Sequence, residues 1–250
     1  MARTLIFHHL PDLNDLPAAE RWNHRYHVPE VMRGRPIGYV SYQAVPPPPG
    51  AEAFGLFNYK MHESISRDDG ELPLGRTALT KEVVPLDVVM VNTALAPTDD
   101  LLGADLTLDA GTVLRWVTVF RYPDGVGVEE GDDWYLRTHI PEVRRQPGLT
   151  RCFSHTIAPF LMQAGQQIRL PFLHPDTTFS SNWHRVTELW YEDGRGWARS
   201  VLEEPPDYTP PPWATAGRYP FLEPGRDFRS IFLLERPTHD WLREIAPAPI

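Results

Sequence analysis

The sequence predicts an α+β fold in which two tandem βαββαβ units pack sheet against sheet, forming a barrel from one chain. The stretches WNHRYHVPEV and WYLRTHIPEV, 112 residues apart, share one pattern. Apolar, alternating segments flank both stretches in the same order. The chain of 250 residues is long enough for two such units. A lone four-stranded sheet with helices on one face leaves its other face exposed, and two sheets can bury those faces together.

The first parts of the two copies align without a gap. Residues 11–33 and 123–145 are identical at nine of 23 positions, far more than chance would give. Farther along, PLDVVMVNTALAPTDD aligns with GRDFRSIFLLERPTHD at an offset of 140 residues. The 28 additional residues predict insertions in the second copy, near 160–182 and 205–220. We therefore divide the chain into repeats 1–105 and 106–250.

Each repeat gives the same order of elements. In the first repeat we predict strands at 4–10, 38–45, 54–62 and 87–95, with a helix at 18–33 and a weaker one at 74–84. In the second we predict strands at 113–122, 150–157, 185–192 and 228–235, with helices at 131–146 and 197–204. This order is that of two ferredoxin-like units.

Composition excludes several classes of function. A net charge of −9 gives no basic surplus for binding a nucleic-acid backbone. The single cysteine, Cys152, excludes an internal disulfide framework and a multi-cysteine zinc site. No apolar run is long enough for a signal peptide or a membrane span, so we expect a cytoplasmic protein. The expected partner is a small hydrophobic molecule, and a homodimer is possible. The proline-rich tracts at 46–50 and 203–213 favour stiff connecting loops.

The repeated helix carries the candidate chemistry. His27 and Glu30 share a helical stripe in the first copy, as do Tyr135, His139 and Glu142 in the second. The proline two residues after each histidine cannot donate to the preceding turn, so the helix should bend there. The glutamate could hold the imidazole ring and favour its protonated form, and such a histidine could act as a general acid or base. The alternative is a structural cap, with each histidine bonded to a neighbouring carbonyl.

The second copy resembles the EthD-like branch of the dimeric α+β barrel superfamily. The features that carry this resemblance are His139-Ile140-Pro141, the turn Pro147-Gly148-Leu149 and the strand VTELWYED at 186–193. The first copy keeps His27-Val28-Pro29 but has Arg-Pro-Ile-Gly at 35–38 in place of the turn. The resemblance implies a pocket between helix and sheet, lined by the helix histidine and large apolar side chains. Related barrels include isomerases, dehydratases, decarboxylases and monooxygenases that act on aromatic or polyketide-like compounds without a cofactor, and others bind haem.

We therefore predict a cofactor-independent lyase or isomerase acting on a small apolar aromatic or polyketide-like compound. The alternatives are a non-catalytic binding protein for a hydrophobic metabolite and a haem- or metal-dependent oxygenase. No metal is expected, because the pair His24 and His27 is not repeated in the second copy. Since only the second copy keeps both features, we expect its pocket to do the work. The proposed acid–base residues are His139, then His27, with Glu142 and Glu30 as partners. The proposed substrate-contacting residues are Tyr135, His155, Trp134, Tyr42, Trp116 and Trp190. The alternative for some of these is a place in the core.

Overall fold

A computed structural model describes residues 1–67, 86–102, 114–158 and 183–244. These residues form two five-stranded antiparallel sheets, with strand orders β10-β2-β3-β1-β4 and β5-β7-β8-β6-β9. The strands are β1 Ala2–His9, β2 Gly38–Gln43, β3 Lys60–Ser66, β4 Asp87–Ala94, β5 Asp99–Leu102, β6 Leu114–Phe120, β7 Leu149–Thr156, β8 Arg185–Tyr191, β9 Phe228–Leu234 and β10 His239–Asp240. Four strands of each sheet follow the same order, β2-β3-β1-β4 in one and β7-β8-β6-β9 in the other, as expected for two copies of one unit.

Short helical pieces lie between the strands. The α-helices are α1 Leu16–Trp22, α2 Val28–Arg33, α3 Val128–Trp134, α4 Ile140–Val143, α5 Gly194–Ala198 and α6 Trp241–Glu244. Wider π-helical turns follow α1, α3 and α5, at Asn23–His27, Tyr135–His139 and Arg199–Glu203. Short 3-10 turns lie at Leu13–Asp15 and Ala51–Phe54. Among the described helices, none is long and apolar enough to cross a membrane.

The proline in each repeated helix changes its winding. Pro29 and Pro141 lack a backbone N–H, so an ordinary α-helical ladder would lose a bond at that turn. In the first repeat, the N–H of Val28 donates to the carbonyl of Asn23, five residues earlier. In the second, the N–H of Ile140 donates to Tyr135 in the same way. The predicted disturbance therefore takes the form of a π-turn that ends at each histidine, a feature often found at functional sites.

The two sheets bury their inner faces against each other. One apolar cluster joins strands of both sheets, including Phe7, Met61, Val119 and Ile231. Two other clusters lie between each sheet and its own helices. Because side chains alternate along a strand, each sheet separates an inner face from a helix-facing outer face. The predicted fold class is confirmed.

Polar residues also meet between the sheets, in a nearly symmetric ion network. Arg3 donates to both Glu63 and Glu188, at 2.9 and 3.0 Å. Arg115 bonds Glu188 at 2.6 Å and lies 4.0 Å from Glu63. In the strand register, Arg3 corresponds to Arg115 and Glu63 to Glu188. Each buried charge therefore has an opposite partner, which offsets the cost of removing it from water.

The repeats exchange their last strands. The first repeat's β5 pairs with β7 of the second sheet, and the second repeat's β10 pairs with β2 of the first. Thr98 Oγ1 accepts a bond from the backbone N–H of Thr156, and Thr238 Oγ1 accepts one from Gln43. The repeated Pro-Thr pairs found in the sequence thus mark the start of these exchanged edge strands.

Several boundaries differ from those predicted. The second-repeat helix begins at Val128 rather than 131. Within the predicted strand 54–62, only the end belongs to β3, because Ala51–Phe54 forms a 3-10 turn. The strand register makes His155 equivalent to Tyr42 rather than to Gln43, because a bulge in β7 shifts the alignment of the repeats by one residue. The predicted helix at 74–84 and the insertion at 160–182 lie outside the described residues.

Candidate functional site

The site is built on the outer face of the first sheet, beneath the repeated helix. His8 on β1 and His62 on β3 project from this face because they alternate with inner-face residues such as Phe7 and Met61. The π-turn that ends at His27 brings the helix histidine over them. The ring centroids of His8 and His62 are 5.0 Å apart, and those of His27 and His62 are 5.2 Å apart. We call these three residues the histidine cluster.

Ring nitrogens of the histidine cluster converge on one point. One nitrogen from each ring lies within 4.8 Å of the other two. Such a spacing leaves a point within about 2.8 Å of all three nitrogens, which is a hydrogen-bond distance to an oxygen atom. His8 Nδ1, His27 Nε2 and His62 Nε2 are buried without a hydrogen-bond partner among the described residues. The cluster therefore holds unused hydrogen-bonding capacity in a buried place.

A chain of hydrogen bonds supports His62 from behind. Its Nδ1 lies 2.6 Å from Ser41 Oγ and 3.3 Å from the Tyr39 hydroxyl. The indole N–H of Trp241 donates to Ser41 Oγ at 2.5 Å. Trp241 comes from α6, directly after the exchanged strand β10, so the end of the second repeat braces the site of the first. His62 therefore leaves Nε2 as its nitrogen for the cluster.

The electrostatic field at the histidine cluster favours neutral rings. Burial, and secondarily the charge of Lys60, lowers the pKa of His27 to about 4. Burial also lowers the pKa of His8 and His62 well below 6.5, and Lys60 contributes to both shifts. Lys60 is itself buried and pairs with Glu20 at 2.6 Å. All three imidazoles are therefore uncharged at neutral pH, and each neutral ring has one nitrogen that donates a hydrogen bond and one that accepts.

A buried amide lies one turn before His27. Asn23 is fully buried, and neither its Oδ1 nor its Nδ2 has a hydrogen-bond partner among the described residues. In the second repeat, Tyr135 occupies the equivalent position and bonds Thr187, the counterpart of His62, at 2.6 Å. The first repeat thus has a short amide where the second has a bonded aromatic ring. This difference adds unsatisfied donor and acceptor atoms on the first-repeat side.

The second-repeat histidine lies in a closed aromatic stack. The ring of His139 stacks on Trp134 at 4.9 Å and on Tyr219 at 5.4 Å. Tyr208 stacks in turn on Tyr219 at 4.8 Å. Both tyrosines belong to the segment that includes the predicted insertion 205–220. Burial lowers the pKa of His139 to about 3.

Little space remains beside His139. The cavity that it lines with Trp134 and Tyr135 has a volume of about 20 Å³, enough for roughly one water molecule. The register places Phe120 and Thr187 where the first repeat has His8 and His62. The second repeat therefore keeps the helix histidine but lacks the other two rings of the histidine cluster.

The two predicted glutamate partners differ in what the structure shows of them. Both carboxylate oxygens of Glu142 accept hydrogen bonds from Thr209, whose backbone N–H and hydroxyl are the donors. Glu142 thus anchors the inserted segment rather than orienting His139. Glu30 lies half-buried in α2, and its pair with His27 remains a prediction.

Four other predicted residues do not line the His139 cavity. His155, Tyr42 and Trp190 lie on the inner faces of the sheets, opposite the helices. There, His155 Nε2 accepts from Arg3 at 2.9 Å, and the Arg115 guanidinium lies over Tyr42 and Trp190. Trp116 lies on the helix-facing side in the core of the second repeat, stacked on Phe232. Of the predicted set, the structure brings together Trp134, Tyr135 and His139.

A larger cleft lies outside the aromatic stack. Its volume is about 510 Å³, and the 46–55 loop and the proline-rich segment form its walls. Tyr219 lines both this cleft and the small inner cavity. The other lining residues are mostly apolar and include Phe54, Val201, Leu202, Pro205, Pro206, Tyr208 and Phe221. The ring of Tyr219 thus separates His139 from the cleft.

The histidine cluster is also the group that could hold a metal ion among the described residues. Three imidazoles are a common donor set for zinc, with nitrogen distances of about 2.0–2.1 Å. Nitrogens within 4.8 Å of one another can surround either a metal ion or an oxygen atom, but the charge of Lys60 opposes a cation. The donor set therefore fits a metal in kind, whereas the charge beside it favours an oxygen atom.

Sequence reasoning identified His27 but not its partners. His62 was not singled out because its position beside His8 depends on the pairing of β1 with β3, in which Ile6 faces His62. Alternation along KMHES at 60–64 places Lys60 and His62 on one face, and this signal could have identified them. The contribution of Trp241 depends on strand exchange, which local sequence does not reveal.

The first repeat also carries the match to a known family. A family model described as the chalcone isomerase N-terminal domain matches residues 1–96, the part that contains the histidine cluster. No curated protein matches the chain. Because the matched residues are fewer than half of the chain, the match supports a proposal about function and does not by itself assign the family.

Solved structures resemble the chain only at the level of the backbone. An anthrone oxidase-like protein has 11% identity and a TM-score of 0.49, with 99% of this chain and 96% of that chain covered. A candidate chlorite dismutase has 11% identity and a TM-score of 0.36, with 79% and 82% covered. A candidate monooxygenase from Fusobacterium nucleatum subsp. nucleatum has 9% identity and a TM-score of 0.35, with 79% of each chain covered. Structural similarities with such low sequence identity and TM-scores give no information about the reaction.

Proposed function

We propose that the chain is an isomerase- or lyase-type enzyme that moves a proton on a small aromatic molecule at the histidine cluster. Two observations on the histidine cluster carry this proposal: its three rings bring one nitrogen each within 4.8 Å of the others, and each ring has a buried nitrogen without a hydrogen-bond partner among the described residues. Each unsatisfied buried polar group costs about 1–3 kcal/mol, so a ligand oxygen that satisfies them would bind favourably. The neutral rings and the charge of Lys60 suit an oxygen that becomes negative during the reaction.

The proposed reaction needs only side chains of this chain. For an aromatic enone with a neighbouring phenol, His27 accepts the phenolic proton and the phenolic oxygen adds to the carbon–carbon double bond. The resulting enolate oxygen is stabilised by His62 and the field of Lys60, and the enolate carbon takes the same proton back from His27. The match of residues 1–96 to the chalcone isomerase N-terminal domain supports a hydroxychalcone as the first substrate to test.

The proposed site lies in the first repeat, whereas the sequence pattern predicted that the working pocket lies in the second. The resemblance of His139-Ile140-Pro141 and Pro147-Gly148-Leu149 to the EthD-like branch favours the second repeat. The closed stack around His139 and the small cavity beside it count against the second repeat, and the unpartnered ring nitrogens favour the first. We therefore assign the principal acid–base role to His27 and treat His139 as the competing candidate.

The decisive experiment measures turnover of 2′-hydroxychalcone by two single variants, followed by absorbance. His27→Ala should lower kcat/KM by roughly 10²–10⁴-fold, because general acid–base catalysis contributes about that much. His139→Ala should leave kcat/KM within a few-fold of the parent protein. Thermal melts of both variants check that each is folded. A large loss at His139 alone would return the site to the second repeat.

Two alternatives are tested on the same preparation. Elemental analysis, with and without added Zn²⁺, tests a metal-dependent function, which the three-nitrogen donor set favours. Tight one-to-one metal binding that disappears in His62→Ala would support it. Binding of the chalcone without turnover would favour a non-catalytic binding protein, for which the 510 Å³ cleft is also large enough.

A further inference from the structure

The hydrogen bonds behind His62 determine which of its nitrogens carries the proton. An indole N–H can only donate, so Ser41 Oγ accepts the bond from Trp241. Ser41 is fully buried, and its own proton therefore needs an acceptor. Among the described residues, His62 Nδ1 is the acceptor bonded to Ser41 Oγ, at 2.6 Å. The proton of Ser41 therefore points to Nδ1.

The Tyr39 hydroxyl leads to the same assignment. It is fully buried and lies 3.3 Å from the same nitrogen. Two hydroxyl groups, each with a proton to donate, thus face His62 Nδ1. An unprotonated Nδ1 can accept from them, and in a neutral ring the proton then resides on Nε2.

We infer that Trp241 and Ser41 are positioning residues that hold His62 in its Nε2–H tautomer. His62 then presents a hydrogen-bond donor to the centre of the histidine cluster. The donor stabilises negative charge on an oxygen bound there, and proton acceptance falls to the other two rings. The same tautomer opposes metal binding through Nε2, because a metal needs the lone pair that the proton occupies. The tautomer of His62 does not depend on the proposed function; only the identification of the bound oxygen as a substrate oxygen rests on it.

Trp241 belongs to the second repeat but acts beside the histidine cluster of the first. Strand β10 docks on β2 through the backbone N–H of Thr238, which donates to the Ser41 carbonyl at 2.7 Å. Trp241 then packs against Val28 and Tyr39 beside the cluster. The second repeat therefore contributes a residue that sets the proton position in the first, which explains how two repeats can form one site.

Nitrogen NMR of ¹⁵N-histidine-labelled protein tests the tautomer without any substrate. His62→Gln identifies the His62 signals, which should show a protonated Nε2 and an unprotonated Nδ1. Trp241→Phe and Ser41→Ala should each shift those signals towards a mixture of tautomers. Trp197→Phe is the matched control, because Trp197 is equally buried but its Nε1 has no hydrogen-bond partner among the described residues.

Activity provides the second readout. Trp241→Phe should lower kcat by roughly 10-fold with little change in KM, a part of the 10²–10³-fold that loss of a whole oxyanion donor costs. A protonated Nδ1 of His62 in the parent protein would overturn the inference. So would His62 signals that are the same in Trp241→Phe and Ser41→Ala as in the control Trp197→Phe. If the tautomer is as stated but no substrate turns over, the proposed function fails while the inference stands. If either substituted protein does not fold, the other and the parent spectrum still decide the tautomer.

Discussion

At the scale of single residues, Lys60 connects burial to chemistry. It lies on the same outer face as His62, and its charge lowers the pKa values of all three rings of the histidine cluster. A buried cation beside three neutral imidazoles attracts negative charge that develops on a bound oxygen. Its partner Glu20 is about one-third exposed, so solvent weakens the neutralising effect of that carboxylate.

Lys60→Met should therefore raise the pKa of His27 from about 4 towards 6.5, because one of its two lowering causes is removed. The shift should remain incomplete, since burial is the larger cause. Lys60→Arg keeps the charge and is the matched control. An NMR titration of the His27 ring measures both variants. An unchanged His27 pKa in Lys60→Met would show that the lysine charge does not reach the cluster.

The same scale shows what the sequence could predict about the site. The repeat and the helical spacing identified His27 and His139 as equivalent residues. They could not show which of the two is enclosed, because this depends on Tyr219, a ring from the predicted insertion that stacks on His139. Nor could they place His62, since a strand's register is a tertiary property.

At the scale of elements, the inserted segment at 205–220 covers the helix histidine of the second repeat. Tyr219 stacks on His139, with ring centroids 5.4 Å apart, and lines the small cavity beside it. Glu142 holds the segment through Thr209, and Gln146 holds it through the hydroxyl of Tyr208 at 2.6 Å. These bonds explain why a long proline-rich insertion follows one path across the helix.

Tyr219→Ala should destabilise the protein by roughly 2 kcal/mol, because a half-buried ring is lost and a cavity is left beside His139. It should also join the inner cavity to the outer cleft and raise the pKa of His139 from about 3 by admitting water. Tyr219→Phe is the control, since the ring remains. Urea unfolding and an NMR titration of His139 measure the two effects. Equal stability of both variants would show that the ring does not contribute to packing.

The elements also mark where local sequence information ends. Alternation and the Pro-Glu-Val pattern predicted the central strands and both repeated helices with errors of a few residues. The Pro-Thr pairs at 97–98 and 237–238 were recognised as repeated, but not as the start of exchanged strands. Strands as short as His239–Asp240 gain their pairing from the other repeat, so no local pattern specifies them.

At the scale of the whole molecule, one cooperative unit should result from the exchange of strands and the shared core. Each sheet contains a strand from the other repeat, and one apolar cluster spans both sheets. Neither repeat can therefore unfold without exposing the inner face of the other. The buried histidines of both repeats should therefore contribute to one free energy of unfolding, that of the whole molecule.

The stability of the whole molecule should consequently fall as the pH is lowered below about 6.5. Burial lowers the pKa of His27 to about 4, of His139 to about 3 and of His155 to about 4. In the unfolded chain these groups titrate near 6.5, so between pH 6.5 and 4 the unfolded state binds more protons than the folded state. The free energy of unfolding must then decrease with falling pH, by up to about 1.4 kcal/mol per pH unit for each proton.

Urea unfolding at pH 7, 6 and 5 measures this dependence. His139→Phe should reduce the pH dependence of the free energy of unfolding by the contribution of one proton. A ring of similar shape can occupy the stack between Trp134 and Tyr219 without titrating.

Glu188 contributes to the loss of stability only at lower pH. Burial alone would favour its acid form, but the nearby arginines outweigh burial and hold the pKa of Glu188 at about 2, so this carboxylate adds to the loss only below about pH 4.5. Unfolding midpoints that are equal at pH 7 and pH 5 would mean that the histidines take up protons in the folded state as they do in the unfolded chain. Burial and Lys60 would then not hold the rings of the histidine cluster neutral, so this measurement tests the electrostatics of the site through the stability of the molecule.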